Sequence, residues 1–539
     1  MLYCRVKENW MVGLVASQVG QQHEGLGRLA TVGGVNKIIM SVLIMAAILL
    51  LPLFSFAQNR GNVWCFGDSA GINFNNINNP VPIETGLRTR GSCASICDTS
   101  GHLLFYSNDR TNTSGDYTTF VYDSTHSIMP NGDTIVGEDW YNELAIIPFP
   151  NNDSLYYLFS ASVLGPLGLY YSVINMKANN GLGDVILKNI KLKYFAQVDC
   201  LTPVKHGNGR DWWLFFRKWD PNNLIPNNEF YSYLITPAGI TNYQIQNIGA
   251  MQTTGLGKMQ FNQNAERLAY INKRGVLELY NFDRCTGIIS QAVNVSNEPP
   301  SAPYPNYFFC EFSPLSNLLY VSVETDTSYL LQFDLNAANI AASCDTLWSS
   351  NGFPQYCGGA LKRGLDNKIY FSNQYYDGIN FPYPYADSVY NMYNMNLGVI
   401  NSPDSLGAAC NFQPYSFYLG GKRTYYGLPN NPDYDLGPLT GSICDTLTAI
   451  ENIQIDKGEL LVSYITAWQK AFINAQHLKG NTYTLTVTDI MGRQVFKERG
   501  ALRPPYFTKD LDCSSFSSGM YIITLTTNKE QVAGKFIKE

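Results

Sequence analysis

The sequence predicts an all-β protein: a β-propeller of six or seven four-stranded blades, seven being favoured, followed by a small Ig-like β-sandwich. Three observations carry this prediction. Aromatic residues make up 13% of the 539 residues and charged residues only 15%, with 36 Tyr and 45 Gly. That balance favours strands joined by tight turns over helices. A polar turn leading into an aromatic-rich strand recurs at His102, Ser154, Asp211, Arg267, Asn317 and Lys368, a regular period of the kind that marks stacked repeats. A second strand-rich segment, on a shorter scale, follows a Pro/Asn/Gly-rich stretch and runs to Glu539.

Residues 1–57 read as an over-extended amino terminus plus a signal peptide. Ile38 to Phe56 is almost entirely apolar, Lys37 precedes it, and Ser55-Phe56-Ala57 places small residues at −3 and −1. A basic flank, an apolar run and a small-x-small exit describe a secretory signal, with cleavage between Ala57 and Gln58. The competing reading is a membrane anchor, because the run approaches the ~18 residues that can span a bilayer. Pro52 and the small-residue exit favour the signal. Residues 1–36 are long, mixed and contain acids, so the start is expected at Met40 or a nearby codon. Removal of Cys4 leaves 11 of the 12 cysteines, an odd number that leaves at least one thiol free or paired between molecules. There is no Cys-x-x-Cys, so zinc is not expected.

Each repeat reads as three strands and a weaker fourth. The first copy is Ser92-CASICD, His102-LLFYSN and Thr118-TFVYDS; the last is Cys357-GGALKRG, Lys368-IYFSNQ and Ser388-VYNMYNMN. Gly183-DVILKNIKL and Ile288-ISQAVNVS are fourth strands. Such a blade cannot cover both of its faces alone, so neighbours must stack. Six repeats fill about residues 92–405. Asn62-VWCFGDSAGINF in front and Tyr415-SFYLGG and Arg423-TYYGLP behind flank them. These ends are expected to meet as a mixed seventh blade, with Trp64 and Tyr425 in or beside it, which would leave no open sheet edge.

The runs Trp64-CFGDSAGINF, Asp98-TSGHLLFYSN, His126-SIMPNG, Phe282-DRCTG and Glu311-FSPLSNLLYVS resemble a propeller common in exported proteins of the Bacteroidetes. The resemblance covers roughly residues 60–430 and says little about activity. The propeller is assigned to 58–428, a linker to 429–449 and the sandwich to 450–539. The linker, Pro429-NNPDYDLGPLTGSICDTL, lacks apolar periodicity, so few contacts are expected to cross it.

In the sandwich, Tyr483, Leu485 and Val487 alternate as in a strand with one buried face, and Asp489-IMG forms a hairpin turn. Asp489 and Gly492, then Gly519 and Tyr521, then Lys535 and Lys538 occur in order up to the chain end. This segment resembles the type A carboxy-terminal sorting domain of the type IX secretion system. The resemblance implies an address label read by the type IX secretion machinery at the outer membrane. In that family the label is commonly cleaved and the cargo often joined to surface lipopolysaccharide. It implies a secreted or cell-surface protein that passes through the periplasm. Glu539 after Lys538 departs from the family's basic end. The competing reading is an accessory sandwich, for instance a carbohydrate-binding one.

No catalytic residue, cofactor or metal is assigned. The four histidines after the signal, His102, His126, His206 and His477, have no metal-ligand spacing. No nucleophile elbow is assigned, and Gly255-x-Gly257 reads as a turn. Asp98, Asp153, Asp220, Asp366 and Asp433 suit Asx turns. Asp433 and Asp435 lack the remaining ligands of a calcium loop. Trp212, Trp213 and Trp219 could stack on sugar rings, but strand alternation puts Trp212 and Trp213 on opposite blade faces, where packing is the expected role. Cys93, Cys97, Cys200, Cys310 and Cys357 lie on or beside first strands, where a small buriable residue suits a crowded channel wall; disulfides are the alternative in an oxidising compartment. A net charge of −6 and a pI of about 5.5 argue against a nucleic-acid partner. The leading function is binding or adhesion, with a glycan or protein ligand. The alternative is a hydrolase or lyase at the channel mouth. Acids and histidines converging from several blades would favour the enzyme, aromatics and amides the binding module.

Overall fold

A computed structural model describes residues 59–111, 117–163, 168–221, 227–296, 305–376, 378, 383–445 and 457–539. The segment expected to be a signal peptide, with Ala57 and Gln58, lies outside these residues, as do residues 446–456. Among the described residues, seven antiparallel sheets follow one another along the chain before residue 420. Sheet 1 comprises Val63–Phe66, Asp68–Asn73 and Val81–Arg88; sheet 2 comprises Cys93–Cys97, Leu103–Thr111 and Tyr117–Asp123. Sheet 3 is Leu144–Pro148, Leu155–Ala161, Leu169–Asn175 and Asp184–Lys193; sheet 4 is Thr202–Lys205, Trp212–Arg217 and Glu229–Thr236, edged by Gly239–Ile240 and Gln244–Asn247. Sheet 5 is Gly257–Phe261, Arg267–Asn272, Leu277–Asp283 and Ile288–Asn294; sheet 6 is Tyr307–Phe312, Leu318–Val323, Tyr329–Asp334 and Asp345–Ser349. Sheet 7 is Gly358–Arg363, Ile369–Asn373, Asn396–Ile400 and Phe412–Tyr418.

The first strand of each sheet packs beside the first strand of the next. That arrangement is a propeller, with the first strands lining the channel. Both faces of each sheet are covered, so whole strands are buried: Trp212–Arg217, WWLFFR, has no exposed residue. The core is a series of layers between neighbouring sheets. Trp212 lies in the layer shared with sheet 3 and Trp213 in the layer shared with sheet 5. Both are 2% exposed and Trp219 is 8% exposed, which places all three in the core. The ring closes where Trp64 packs edge-on against Tyr370, 5.7 Å between ring centres, and where Arg423 pairs with Asp68 at 2.5 Å.

The closure differs from a mixed blade. Phe412–Tyr418 is the fourth strand of sheet 7, and sheet 1 is built from residues 63–88 alone. Among the described residues, a single β-bridge, Asp68 to Arg423, joins the back of the chain to it. The third strand of the last repeat also lies downstream of Ser388, at Asn396–Ile400. Asn391 and Asn394 account for the shift. The Asn391 side chain accepts from the amides of Tyr393 and Asn394, and the Asn394 amide donates to Val389 O. These side chains compete with a strand ladder and turn the chain instead.

Two further sheets form the carboxyl-terminal sandwich. Sheet 8 is Glu459–Ile465, Lys470–Gln476 and Phe507–Asp512. Sheet 9 runs in the order Gln494–Ala501, Thr482–Asp489, Gly519–Thr527, Gln531–Lys538. Ala471, Ile473, Leu485, Val487, Ile523 and Leu525 fill the space between them. Sheet 8 is covered on its other side as well. Phe472 joins Val136, Tyr170 and Ile465 in a small apolar cluster. Asn474 accepts from Lys188 N and donates to Lys188 O, each at 2.8 Å. Lys188 Nζ reaches Asp510 at 2.8 Å. The sandwich is therefore packed on the outer strand of sheet 3, and the expectation of few contacts between the two parts is corrected.

Candidate functional site

The stretch read as a linker enters the propeller. After Arg423 the chain crosses the channel and hydrogen-bonds to one first strand after another. Asn430 N donates to Cys93 O, and its side-chain amide donates to Leu144 O and Leu201 O at 3.0 and 2.7 Å. Ser95 N donates to Asn431 Oδ1. Tyr434, 2% exposed, donates through its hydroxyl to Ile146 O at 3.0 Å. Three buried or half-buried ammonium groups hold this segment: Lys205 Nζ to Tyr434 O at 2.8 Å, Lys258 Nζ to Asn430 Oδ1 at 3.0 Å, and Lys362 Nζ to Asn431 O at 2.9 Å. First strands present backbone groups to the channel, and an Asn/Pro-rich segment satisfies them without a strand ladder of its own. Gly427 meets Gly91 so closely that an added Cβ would lie 1.9 Å from Gly91 O, so no larger residue fits the crossing. Beyond it, Cys444 is disulfide-bonded to Cys285 in sheet 5's last hairpin. Residues 429–445 are thus part of the propeller.

Beside this axial segment, where the first strands end, lies a cavity of about 310 Å³. Its walls carry the amides Gln260, Asn262, Gln263, Asn367 and Asn431. Three cations, Lys205, Lys362 and Arg363, face three carboxylates, Glu311, Asp433 and Asp435. Burial lowers both lysines to about 8. Glu311 accepts from Phe312 N, Gln260 Nε2 and Arg363 N, and Arg363 lies 3.8 Å from Asp433.

At the opposite end of the first strands, carboxyls gather from several sheets. Asp199 accepts from the amides of Tyr141 and Asn142 at 3.0 and 2.5 Å. Glu143 accepts from those of Glu138 and Trp140. Asp109 faces Glu143, and both are fully buried. Burial pushes Asp199 up to about 7 and Asp109 up to about 6, and raises Glu143 well above the usual carboxylate range, the Asp109 charge acting in the same direction. A raised carboxyl keeps its proton in the folded state over a window where the unfolded chain, titrating near pH 4, has released it. Its contribution to stability is complete below about pH 4 and is lost as the pH rises through 6–7. The melting temperature should therefore fall by several degrees between pH 5 and pH 7.5. Asp199→Asn should flatten that slope; an unchanged slope in the variant would exclude Asp199 as its source.

The four histidines do not converge. His102 pairs with Asp98 at 3.2 Å, His126 meets the Tyr106 hydroxyl at 3.0 Å, and His206 meets Cys285 O at 2.9 Å; His477 sits in a turn at φ +59. Cys93, Cys97, Cys200, Cys310 and Cys357 are free and buried, as in the packing reading. Asp433 Oδ1 accepts from Asp435 N, and among the described residues no group of three or more His, Cys, Asp or Glu is placed to hold a metal.

In the sandwich, Asp489 closes the hairpin by accepting from the amides of Met491 and Arg493 at 3.0 and 2.9 Å, with Gly492 at φ +80. Gly519 has φ +151, a conformation that favours glycine. Tyr521 is buried between Phe516 and Phe536 and donates to Ser517 O at 2.6 Å. Lys535 is exposed on sheet 9. Lys538 is buried, and its ammonium donates to the carbonyls of Cys513, Phe516 and Ser514 at 2.7, 2.7 and 3.1 Å. The sandwich motif thus mixes turn-formers, a buried ring and an ammonium that holds the 513–516 turn.

Residues 469–539 match the family described as the secretion system C-terminal sorting domain. The chain carries a type IX sorting domain. It is a secreted or cell-surface-attached protein, exported through the periplasm by the type IX secretion machinery that this domain engages. Among solved structures it is similar to a putative 6-phosphogluconolactonase from Bacteroides uniformis, at 12% identity and TM-score 0.38, over 57% of this chain and 88% of that one. It is also similar to the Dos1 propeller, at 11% identity and TM-score 0.35 over 62% and 86%. A third is Sqt1 from Chaetomium thermophilum, at 10% and 0.32 over 59% and 71%. Comparison with curated proteins gives no match.

Proposed function

We propose that the chain is a binding module displayed at the cell surface, with its ligand site in the cavity beside the axial segment. The observation that carries this reading is the chemistry of the cavity wall. It combines several amides with equal numbers of positive and negative side chains, and two of the cations already donate to backbone carbonyls of the axial segment. Such a wall offers many neutral donors and acceptors with little net field, which suits an uncharged hydroxylated ligand such as a glycan end. The volume falls at the lower end of the range of small-molecule sites. The carboxyls at the other end of the channel are fully buried, and backbone amides hold Asp199 and Glu143, which supports binding over hydrolysis. Gln263 is exposed on the cavity rim. Gln263→Trp should fill the entrance, lower glycan-array signal at least tenfold and leave the melting temperature unchanged. Full retention of signal would move the ligand site elsewhere, and turnover of an array glycan would replace this reading with the hydrolase or lyase one.

A further inference from the structure

The sandwich has two outer sheet faces, and the propeller covers one of them. Sheet 8 turns Phe472 and Asn474 onto sheet 3, where both are fully buried. The other face belongs to sheet 9. Strand register shows which side chains share it. Thr486 stands opposite Lys497 and Thr524; Thr484 stands opposite Arg499 and Thr526. Ile522 stands opposite Lys535, and Met520 opposite Ile537. Leu485, Val487, Ile523 and Leu525 point the other way, into the core, so these partners point outward. Lys497, Arg499 and Lys535 are exposed, and Ile522 and Ile537 are 41% and 62% exposed. No Asp or Glu occupies an outward position in these registers: Glu498 points inward and pairs with Lys509 at 2.8 Å.

We propose that this outward face of sheet 9 is where the sorting domain is read, and that the reader is an acidic surface on a protein of the export machinery. The inference rests on the sorting-domain assignment and goes beyond it by naming the face. Three features single it out. It is the sandwich sheet face left uncovered when the other packs on the cargo. It is cationic without interspersed acids, whereas a solvated sheet face ordinarily mixes both signs. It places two exposed isoleucines beside Lys535, so a partner can bury apolar area while matching charge. Its threonines keep it polar, with β-branched residues that favour the strands themselves.

The test uses the full-length chain in a host with a type IX apparatus, followed by cell fractionation. The triple variant Lys497→Glu, Arg499→Glu, Lys535→Glu reverses the face at exposed positions in outward register. Surface display should fall at least tenfold, with protein accumulating in the periplasm. The periplasmic species should keep the wild-type melting temperature and protease resistance, which separates lost recognition from lost folding. The charge-preserving variant Lys497→Arg, Arg499→Lys, Lys535→Arg should be displayed normally. Normal display of the Glu variant would overturn the proposal. If deletion of residues 457–539 still blocked display in that case, the sorting reading would stand and only the face would be wrong. Charge-dependent binding of the purified chain to anionic lipid vesicles, with display of the Glu variant unimpaired, would assign the face to a membrane and also overturn it.

Discussion

A chain ended after Leu428 should fail to hold a folded propeller, whereas one ended after Asp445 should melt cooperatively near the full-length value. The first end point is the boundary that composition suggests; the second keeps the axial segment. Loss of residues 429–445 takes away the Asn430 side chain from Leu144 O and Leu201 O and the Tyr434 ring from the core layer of sheets 2–4. It also strips Lys205, Lys258 and Lys362 of acceptors in the channel. Each orphaned buried polar group costs about 1–3 kcal/mol, and a buried cation deprived of its partner about 3–5 kcal/mol. The total exceeds much of the ~5–15 kcal/mol by which a domain is stable. The Cys285–Cys444 bond, which spans 159 residues, would go too, and such a closure typically contributes about 2–4 kcal/mol. Circular dichroism melts of the two truncations, expressed to the periplasm, decide it. Equal melting temperatures would mean the axial segment adds nothing to the ring.

What could be read from the residues follows from how local each signal is. The strand register of the repeats was legible because a blade strand covered on both faces must be apolar along its length, as in WWLFFR and LYYLFSA. The opposed placement of Trp212 and Trp213 follows from the same two-residue alternation. The third strand of the last repeat was not legible: YNMYNMN has strand-like aromatics, and only tertiary context shows Asn391 and Asn394 turning the chain. The axial segment was missed for a deeper reason. Pro, Asn and Gly mark a stretch unable to build a ladder, but they do not say whether water or the propeller's first strands will meet its backbone. A signal did exist for the sandwich contact. Ala471-FINA is apolar or amide at every position, where a sheet with one wet face would alternate, and it is buried throughout. The motif lysines divide in a way that spacing does not show, since Lys535 faces out and Lys538 faces in.

Asn474→Ala should uncouple the sorting domain from the propeller without unfolding either. In the wild type the Asn474 side chain replaces a strand partner for Lys188, exchanging two hydrogen bonds with its backbone, and accepts a third from Thr508 at 2.9 Å. Lys188 sits where the outer strand of sheet 3 loses register between Leu187 and Ile190, with Asn189 at φ +56. That irregularity frees the Lys188 backbone to meet the sandwich. Truncation to Ala leaves two buried backbone groups unpaired at a cost of roughly 2–6 kcal/mol, enough to outweigh a small apolar contact made by Phe472. Calorimetry should then resolve two transitions where the wild type should show one, and limited proteolysis should release the sandwich more than tenfold faster. Asp510→Asn should act in the same direction but less strongly, because Asp133 still lies 3.6 Å from Lys188 Nζ. Uncoupling should leave the outward face of sheet 9 unaltered, so display of Asn474→Ala should persist. Should Asn474→Ala melt as a single unit at the wild-type temperature, the contact would carry no appreciable free energy, and the two parts would be independent bodies that merely touch.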